Sequence, residues 1–576
     1  MTPKAGRRWR EAVAALSTGR RWFVAVAALS AGRLWFWVIA VLSTVLLAWQ
    51  IAFHKENFHV DELWTYAHAN STQGAFLSPR IDSYFKYVRT DLFYRWIPGK
   101  AFHDYLTVQP EEAFRYGHIG ENLKVVEHPP LYFWLLHTVC SFFPDVFSKW
   151  QSAGLNLVLW VLTLAALFKL ARLMLPSGQA AAAVGIYAFS LMGLETAAFL
   201  RMYLLQTLFF VCLAYETAVM LRDNRADYKR LGLIALYSFL CLMTHYSSLF
   251  YTFFMAAATG IILLWRRNFA LLWRYAVAML LSVEAFFAAF PPAIDVLFGS
   301  LRGINGVRRA DILFSDSFWL PASNAFVRLG NLVSDKLAGA SSIPAAAWFL
   351  VFMLYLAAVV YARLERCPAL RWLAGVIVPA GVWLAVTMPW MGAFDLRYFM
   401  PLCPLAVLAA AIMLRRFGQA FGLSAERAGW LLILWAVWNA TLAVDWRRNP
   451  FIMPQTAETK AMLRQISGRK VLFLAAARKN YLAFYMVGDW QKEAGAVYWS
   501  SGVCPEKLAD EADFVLVYNP QMQGDYFVQQ RPERKKLCPE LEKKLEFSGQ
   551  VEARGIYFDR YKPATDKHGE KRGGGR

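Results

Sequence analysis

The chain is organised around a loop that opens with His59-Val60-Asp61-Glu62-Leu63-Trp64-Thr65-Tyr66, directly after the first long apolar run. The loop closes with Glu127-His128-Pro129-Pro130-Leu131-Tyr132, where apolar sequence resumes. Two adjacent acids, Asp61 and Glu62, thus stand close to the predicted end of a membrane-spanning helix. Desolvation raises the pKa of a carboxyl group and a nearby cation lowers it, so an acid placed there can be tuned as a base near neutral pH.

The composition predicts a polytopic membrane protein. Of 576 residues, 57% are hydrophobic, 16% are aromatic and only 18% are charged, which is unusual for a soluble enzyme. The formal net charge of +20 would suggest nucleic acid as the partner of a soluble chain. Here Arg and Lys cluster at the ends of apolar runs, where they orient helices, so we expect membrane lipids and no nucleic acid as partners.

Apolar runs of about 17 to 23 residues, long enough to cross a hydrocarbon layer of about 30 Å, predict eleven spans. They begin near residues 33, 152, 178, 199, 230, 249, 270, 344, 371, 397 and 428. With the N-terminus inside, the inner ends collect most of the basic residues, as cytoplasmic loops do. Eleven spans then place the C-terminus outside, together with Asp61.

The pattern divides the chain into four parts. Residues 1–32 form a basic cytoplasmic arm and not a signal peptide. Residues 33–445 form the transmembrane domain, with a first outer loop at 54–151. Residues 446–563 alternate short β-like runs with helices and predict a small α/β domain in the outer compartment. Residues 564–576 contain little to bury and are expected to be disordered.

The run from Pro129 to Phe143 is too short to cross a membrane and predicts an interfacial helix. The two prolines favour a helix start, and a residue before proline is held extended, so His128 should be fixed outside the helix.

Two of the seven cysteines, Cys504 and Cys538, lie in the predicted outer domain, and the others lie in or beside apolar runs. An oxidising compartment favours a disulfide between them, worth roughly 2 to 4 kcal/mol by chain-entropy arguments.

Four motifs together resemble the GT-C superfamily of membrane glycosyltransferases. They are Asp61-Glu62, Glu127-His128-Pro129-Pro130-Leu131-Tyr132, Arg201-Met202-Tyr203-Leu204-Leu205 and Arg397-Tyr398-Phe399-Met400-Pro401. The set is similar to the bacterial branch that includes protein O-mannosyltransferases and the lipid A aminoarabinose transferase. The resemblance covers roughly residues 33 to 445, and many members also carry a C-terminal outer domain.

The resemblance implies a hexosyl- or pentosyltransferase that uses a polyprenyl-phosphate-linked sugar. The acceptor would be a hydroxyl of a lipid, a glycan or a protein, and the site would face the periplasm from a bacterial inner membrane. Sugar and acceptor are left open.

The resemblance and the chemistry nominate the first-loop acids. Asp61 is the candidate general base and Glu62 its neighbour; the alternative is that one of them caps the following helix. Glu127 and His128 could share a divalent metal ion with Asp61 or position the acceptor. The alternative is that both are ordinary interfacial residues, and the need for a metal is left open.

Cations at outer helix ends are candidates for binding the donor. Arg201 with Tyr203, and Arg397 with Tyr398, could present donors to phosphate oxygens, since a guanidinium offers a planar fork of N–H groups. The alternative is an arginine that only reaches for the interface. His245 could contact the donor or could simply pack. Glu195, in an apolar helix, should have a partner that the sequence does not identify.

Two other classes of function compete with this one. A transporter or flippase for lipid-linked sugars would also need many helices and outer cations, although no large internal repeat is visible. A non-catalytic subunit that binds a lipid-linked glycan would keep the cations but would not need Asp61.

Overall fold

The computed structural model describes residues 32–72, 95–124, 128–294, 297, 336, 396–420, 423–475, 488–501, 506–519, 522–523, 526–527, 539–553 and 556–564. Several predictions fall outside these residues. They are the basic arm up to residue 31, Glu127, the spans near 344 and 371, the tail from residue 565, and the Cys504 to Cys538 disulfide.

Helices make up most of the described chain. In chain order they are α1 Gly32–His54, α2 Val60–Asn70, α3 Gly99–Leu106, α4 Gly117–Leu123, α5 Leu131–Ser141, α6 Lys149–Arg172, α7 Ser177–Ala188, α8 Leu191–Ala198, α9 Tyr203–Asp223, α10 Tyr228–Thr244, α11 Ser248–Trp265, α12 Phe269–Ala289, α13 Cys403–Ala420, α14 Ala425–Ala443, α15 Ala457–Ile466, α16 Gly488–Gln491, α17 Glu506–Glu511 and α18 Pro539–Lys544. Shorter helical turns lie at Pro110–Glu112, Pro292–Ile294, Leu396–Tyr398, Met400–Leu402 and Trp446–Arg448.

The strands are β1 Trp96–Pro98, β2 Lys470–Ala475, β3 Ala496–Ser501, β4 Phe514–Asn519, β5 Met522–Gln523, β6 Tyr526–Phe527, β7 Leu545–Ala553 and β8 Ile556–Pro563. Within the described residues, six of them form one sheet in the order β1-β3-β2-β4-β8-β7, and β5 pairs with β6. Strand β2 runs parallel to β3 and β4, while β1, β8 and β7 pair antiparallel with their neighbours.

The chain groups into two compact units. Unit 1 comprises Met1–Gln50, Gly154–Ala198 and Met202–Pro450, and unit 2 comprises Ile51–Ala153, Phe199–Arg201 and Phe451–Arg576. The domain boundaries that were predicted from the sequence stay predictions.

The protein is a predominantly helical, multi-pass membrane protein with a small sheet, as the sequence predicts. Among the described residues, five helices are long and apolar enough to cross a membrane: α1, α6, α9, α11 and α12. The bent pair α7 and α8 makes a sixth if it counts as one span. Nine of the eleven predicted spans begin near described helices, and the total of eleven and the orientation stay predictions. Helix α5 is too short to cross, as expected.

In unit 1, the predicted third span is broken into α7 and α8, which meet at 61°. Ser190 lies at the break, where its hydroxyl donates to Tyr187 O (2.8 Å) and accepts from Gly193 N (3.0 Å). Asn439 Nδ2 donates to Ile186 O (3.0 Å). Breaks inside apolar helices are tolerated when freed backbone groups find such partners. A Cβ at Gly193 would lie 2.3 Å from Tyr187 O, so only glycine fits there.

Glu195 of α8 has the partner that the sequence could not identify. Its fully buried carboxylate lies 2.7 Å from the ammonium of Lys336. An isolated charge among apolar helices is costly, and this ion pair offsets part of that cost.

In unit 2, a strand from the polar segment between α1 and α6 joins the C-terminal sheet. Trp96 of β1 pairs with Tyr498 of β3, and their rings lie 5.5 Å apart. The chain then turns tightly: Gly99 N donates to Gly495 O (3.1 Å), and a Cβ at Gly99 would lie 1.7 Å from Ala494 O. The β-like runs that the sequence predicts from Val471, from Phe514 and around residues 555–561 correspond to β2, β4 and β8. The sequence gives no sign of β1.

Lys149 ties the two ends of that segment, residues 55–148, together. Its ammonium donates to the carbonyls of Ile51 (2.7 Å), Ala52 (3.1 Å) and Lys55 (2.6 Å). The last carbonyls of a helix have no partner within the helix, and a cation there also interacts favourably with the helix dipole. The residues of α1 from Ile51 onward, which belong to unit 2, are thereby fixed to the start of α6.

Candidate active site

The candidate site is built on the first turn of α2. His59 is the N-cap residue in an extended conformation, and its Nδ1 accepts from Asp61 N (3.2 Å). Glu62, three residues after His59, accepts from His59 N (2.8 Å), so the two side chains form a capping box. Acids in a first turn also interact favourably with the helix dipole. The sequence-based alternative, that one of the two acids caps the helix, describes Glu62.

Glu62 is held by other contacts as well. Its fully buried carboxylate receives the Lys55 ammonium on both oxygens (2.9 and 3.0 Å) and Leu200 N on Oε1 (2.8 Å). Lys55, also with a side chain 0% exposed, donates to Phe451 O as well (2.7 Å). Lys55 could not be recognised from the sequence, because a lysine after an apolar run is normally an interfacial residue.

Asp61 points to a different partner. Its Oδ2 lies 2.9 Å from Nη1 of Arg201, and both side chains are nearly buried, at 7% and 4% exposed. Nη2 of the same guanidinium lies 2.9 Å from Nε2 of His128. Three residues from separate parts of the sequence, all nominated as site residues, therefore form one contact chain, Asp61–Arg201–His128.

The chemistry of arginine defines the state of His128. A guanidinium only donates hydrogen bonds, so Nε2 of His128 must be the acceptor and the imidazole must be the neutral Nδ1–H tautomer. The Nε–H of Arg201 is buried and has no acceptor among the described residues. An anionic oxygen that reached this edge of the fork would meet an unused donor.

Aromatic rings shield the contact chain. Arg201 lies over the ring of Phe199 (5.9 Å to the centroid), and Phe199 stacks on Phe451 at 4.1 Å. His59 meets both rings edge-on. Exclusion of water strengthens charge–charge interactions, so this shell strengthens the Asp61–Arg201 pair.

Burial and, to a smaller extent, the positive charge of Arg201 together lower the pKa of His68, in α2, to about 4. His137, in α5, also has its pKa lowered to about 4, by burial first and by His118 second. Both imidazoles are thus neutral in the folded protein near neutral pH.

We expect His68 to make stability depend on pH. Its pKa is lower in the folded than in the unfolded chain, so between pH 6.5 and 4 the unfolded chain binds a proton that the folded chain does not. The contribution is complete above pH 6.5 and is lost towards pH 4, by about 3 kcal/mol in total. Thermal unfolding of the full-length protein in detergent should show this slope, and His68→Leu should reduce it to the part that His137 contributes, because the pKa of His137 is lowered in the same way. An unchanged slope in His68→Leu would contradict this prediction. So would an equal reduction of the slope by His103→Leu, which changes a partly exposed histidine.

The described residues fit a shared metal ion poorly. Among them, no three His, Cys, Asp or Glu side chains converge as a metal site would need. Arg201 occupies the position between Asp61 and His128 that a shared cation would take. Glu127, the third predicted ligand, lies outside the described residues.

In unit 1, the structure brings together the other predicted binding residues. The rings of Tyr203, His245 and Tyr398 lie within 5.8 to 6.3 Å of one another. Arg397 lies over the ring of Tyr398 (5.9 Å). His245 Nδ1 is held by the Ser247 hydroxyl (2.8 Å). Residues up to 195 positions apart in the sequence thus form a second polar group, Tyr203–His245–Arg397–Tyr398.

No protein-family model matches the sequence, and no match was found among curated proteins. Solved structures do match. The aminoarabinose transferase ArnT of Cupriavidus metallidurans, bound to undecaprenyl phosphate, has a TM-score of 0.48 at 12% identity, over 91% of this chain and 98% of that one. Its apo state has a TM-score of 0.49 at 12% identity, over 92% and 98%.

The Archaeoglobus fulgidus oligosaccharyltransferase, tethered to an acceptor peptide, has a TM-score of 0.40 at 10% identity, over 83% of this chain and 64% of that one. These solved proteins are GT-C glycosyltransferases, the superfamily that the quoted motifs resemble. These similarities to solved structures do not assign a role to any residue of this chain.

Proposed function

We propose that the protein is a membrane glycosyltransferase that moves a sugar from a polyprenyl-phosphate-linked donor to a hydroxyl acceptor. The observation that carries this proposal is the nearly buried Asp61–Arg201–His128 contact chain, in which a carboxylate and a guanidinium with an unused N–H lie side by side. Sugar transfer from a lipid phosphate needs a base for the acceptor and positive charge for the leaving phosphate. One carboxylate and one arginine supply both.

The reaction is a substitution at the anomeric carbon. Asp61 accepts the proton of the acceptor hydroxyl while the acceptor oxygen bonds to that carbon. The bond from the carbon to the donor phosphate oxygen breaks, and its electron pair stays on the phosphate. The products are the glycosylated acceptor, polyprenyl phosphate and protonated Asp61. Arg201 stabilises the charge that grows on the phosphate through its free Nε–H.

The other candidates take supporting roles in this proposal. His128 holds one arm of the Arg201 fork, and Glu62 positions rather than reacts, since both of its oxygens are engaged. For the group Tyr203–His245–Arg397–Tyr398 of unit 1, binding of a lipid phosphate stays the prediction made from the sequence. No step is assigned to a metal ion.

The charge pattern of the loops supports a site on the periplasmic side of a bacterial inner membrane. The acceptor would be a lipid, a glycan or a protein in that compartment, and the sugar a hexose or a pentose. Mass spectrometry of lipopolysaccharide, lipid-linked glycans and glycoproteins tests this directly. Cells with the protein should carry a sugar that is missing from cells without it and from cells with Asp61→Asn.

One observation favours the transporter alternative. Broken helices with buried charges are typical of secondary transporters, and α7–α8 with the Glu195–Lys336 pair has both features. A transporter would move a lipid-linked sugar without consuming it. An equal amount of intact lipid-linked sugar in cells with and without the protein, together with no modified acceptor, would support transport over transfer.

Arg397→Ala should weaken the binding of undecaprenyl phosphate by about tenfold or more, since it removes charge-assisted hydrogen bonds. Arg397→Lys should be impaired less, because it keeps the charge but loses the fork. Affinity can be measured from tryptophan fluorescence in detergent. Arg447 offers a matched control, because it also lies over a neighbouring ring, Trp446, at 5.8 Å. Equal affinities of Arg397→Ala and Arg447→Ala would make Arg397 an interfacial anchor only.

A further inference from the structure

We propose that Lys55 and Glu62 form a positioning pair that holds Arg201 beside Asp61 and takes no part in the chemistry itself. The inference rests on the proposed function, because it assigns the pair to the same reaction. Nothing in the sequence motifs gives Lys55 a role.

Glu62 accepts hydrogen bonds from two backbone amides that lie close to Asp61 and Arg201 in the chain. One belongs to His59, at the N-cap of the helix that carries Asp61, and the other belongs to Leu200, directly before Arg201. Glu62 and Leu200 are 138 residues apart in the chain. A single carboxylate therefore fixes the backbone beside both members of the Asp61–Arg201 pair.

The hydrogen bonds of Lys55 and Glu62 use all the donors and acceptors of the two side chains. Each carboxylate oxygen of Glu62 accepts one hydrogen bond from the Lys55 ammonium and one from a backbone amide. The carboxylate therefore has no acceptor position left for a substrate. Lys55 gives its third N–H to Phe451 O. An ammonium has three donors, and each has an acceptor here. Such a saturated, fully buried pair suits a structural link and not proton transfer.

The Lys55–Glu62 pair is also linked to the aromatic rings beside Arg201. Lys55 binds the backbone of Phe451, and the Phe451 ring stacks on Phe199, two residues before Arg201. The segment Phe199–Arg201 is thus held from its backbone by Glu62 and from its side chain by Phe451. Reactive groups displaced by about 1 Å can lose about 10²-fold in rate, so this double support has a functional use.

A double-mutant cycle on undecaprenyl phosphate affinity tests the proposal. If Glu62 acts through Arg201, Glu62→Gln alone should weaken binding by about tenfold, and adding it to Arg201→Gln should change little more. Effects that multiply, or a Glu62→Gln variant that binds as the wild type does, would overturn it. Glu56→Gln is the matched control, because Glu56 also pairs with a lysine of unit 2, Lys460 (2.6 Å), but has no contact with Phe199–Arg201 among those shown by the described residues.

Hydrogen exchange supplies a readout without ligand. The Leu200 amide should exchange about tenfold faster or more in Glu62→Gln than in wild type or Glu56→Gln, because its acceptor is disturbed. If Glu62→Gln does not fold, Lys55→Met/Glu62→Leu removes both charges together and takes its place in each measurement. Unchanged Leu200 exchange overturns the proposal. Wild-type protein that ignores undecaprenyl phosphate overturns the proposed donor instead, while the exchange result still decides the positional role.

Discussion

Asp61→Asn is expected to lower sugar transfer by about 10² to 10⁴-fold, the usual loss when a general base is removed. Asparagine keeps the shape of the side chain and can still accept a hydrogen bond from Arg201, but it leaves the nearly buried guanidinium without its counter-charge, so stability should fall. Protein that folds should still bind undecaprenyl phosphate. The rate of product formation in membranes, measured by mass spectrometry, checks the loss of transfer, and lipid affinity checks the retained binding.

Glu56→Gln serves as the control for this variant, since it neutralises another lysine-paired acid of unit 2. It should transfer sugar at the wild-type rate. Wild-type turnover by folded Asp61→Asn would remove Asp61 as the base. Loss of lipid affinity equal to the loss of rate would instead make Asp61 a binding residue, because an interaction used only in the transition state changes the rate alone.

The second large effect is expected at Arg201. Arg201→Gln leaves the nearly buried Asp61 without its cation, and breaking such a pair typically costs about 3 to 5 kcal/mol. It also removes the Nε–H proposed for the phosphate, so lipid affinity should fall by about tenfold or more. Thermal unfolding and lipid binding of the purified protein measure the two effects separately.

The double variant Asp61→Asn/Arg201→Gln distinguishes stability from function. Because neither Asp61 nor Arg201 is then left as an unpaired buried charge, it should regain most of the stability that Arg201→Gln loses, yet it should neither bind the lipid well nor transfer sugar. If the double variant is as unstable as Arg201→Gln, the Asp61–Arg201 pair is not the reason for the instability. If Arg201→Gln keeps full lipid affinity, the phosphate binds elsewhere.

Much of the fold was predictable because apolar length and charge at helix ends are local signals. These signals predict the spanning helices α1, α6 and α9. They also predict that the short apolar run after Pro130, which forms α5, does not span the membrane. Strand β1 was not predictable, since three residues inside a polar segment carry no periodicity of their own. Only its partner β3, far along the chain, makes it a strand.

The site was predictable as a set of residues but not as a geometry. Asp61, His128 and Arg201 were all nominated, yet no sequence signal shows that one guanidinium contacts the other two side chains. The separate roles of Asp61 and Glu62 depend on which way each side chain leaves the first turn of α2. Lys55 was missed because its acceptors, Glu62 and Phe451 O, come together only in the folded protein.

The strand β1 also constrains the order of events during synthesis. The indole of Trp96 donates to Glu511, a residue 415 positions later in the chain. At about 5 to 20 residues per second, a ribosome needs roughly 20 to 80 seconds to make that stretch. During this interval β1 has no sheet to join, and an unpaired strand edge invites association with other chains. The sheet of unit 2 can therefore be completed only after the C-terminal strands have been made, although its first strand is among the earliest parts of unit 2 to be synthesised.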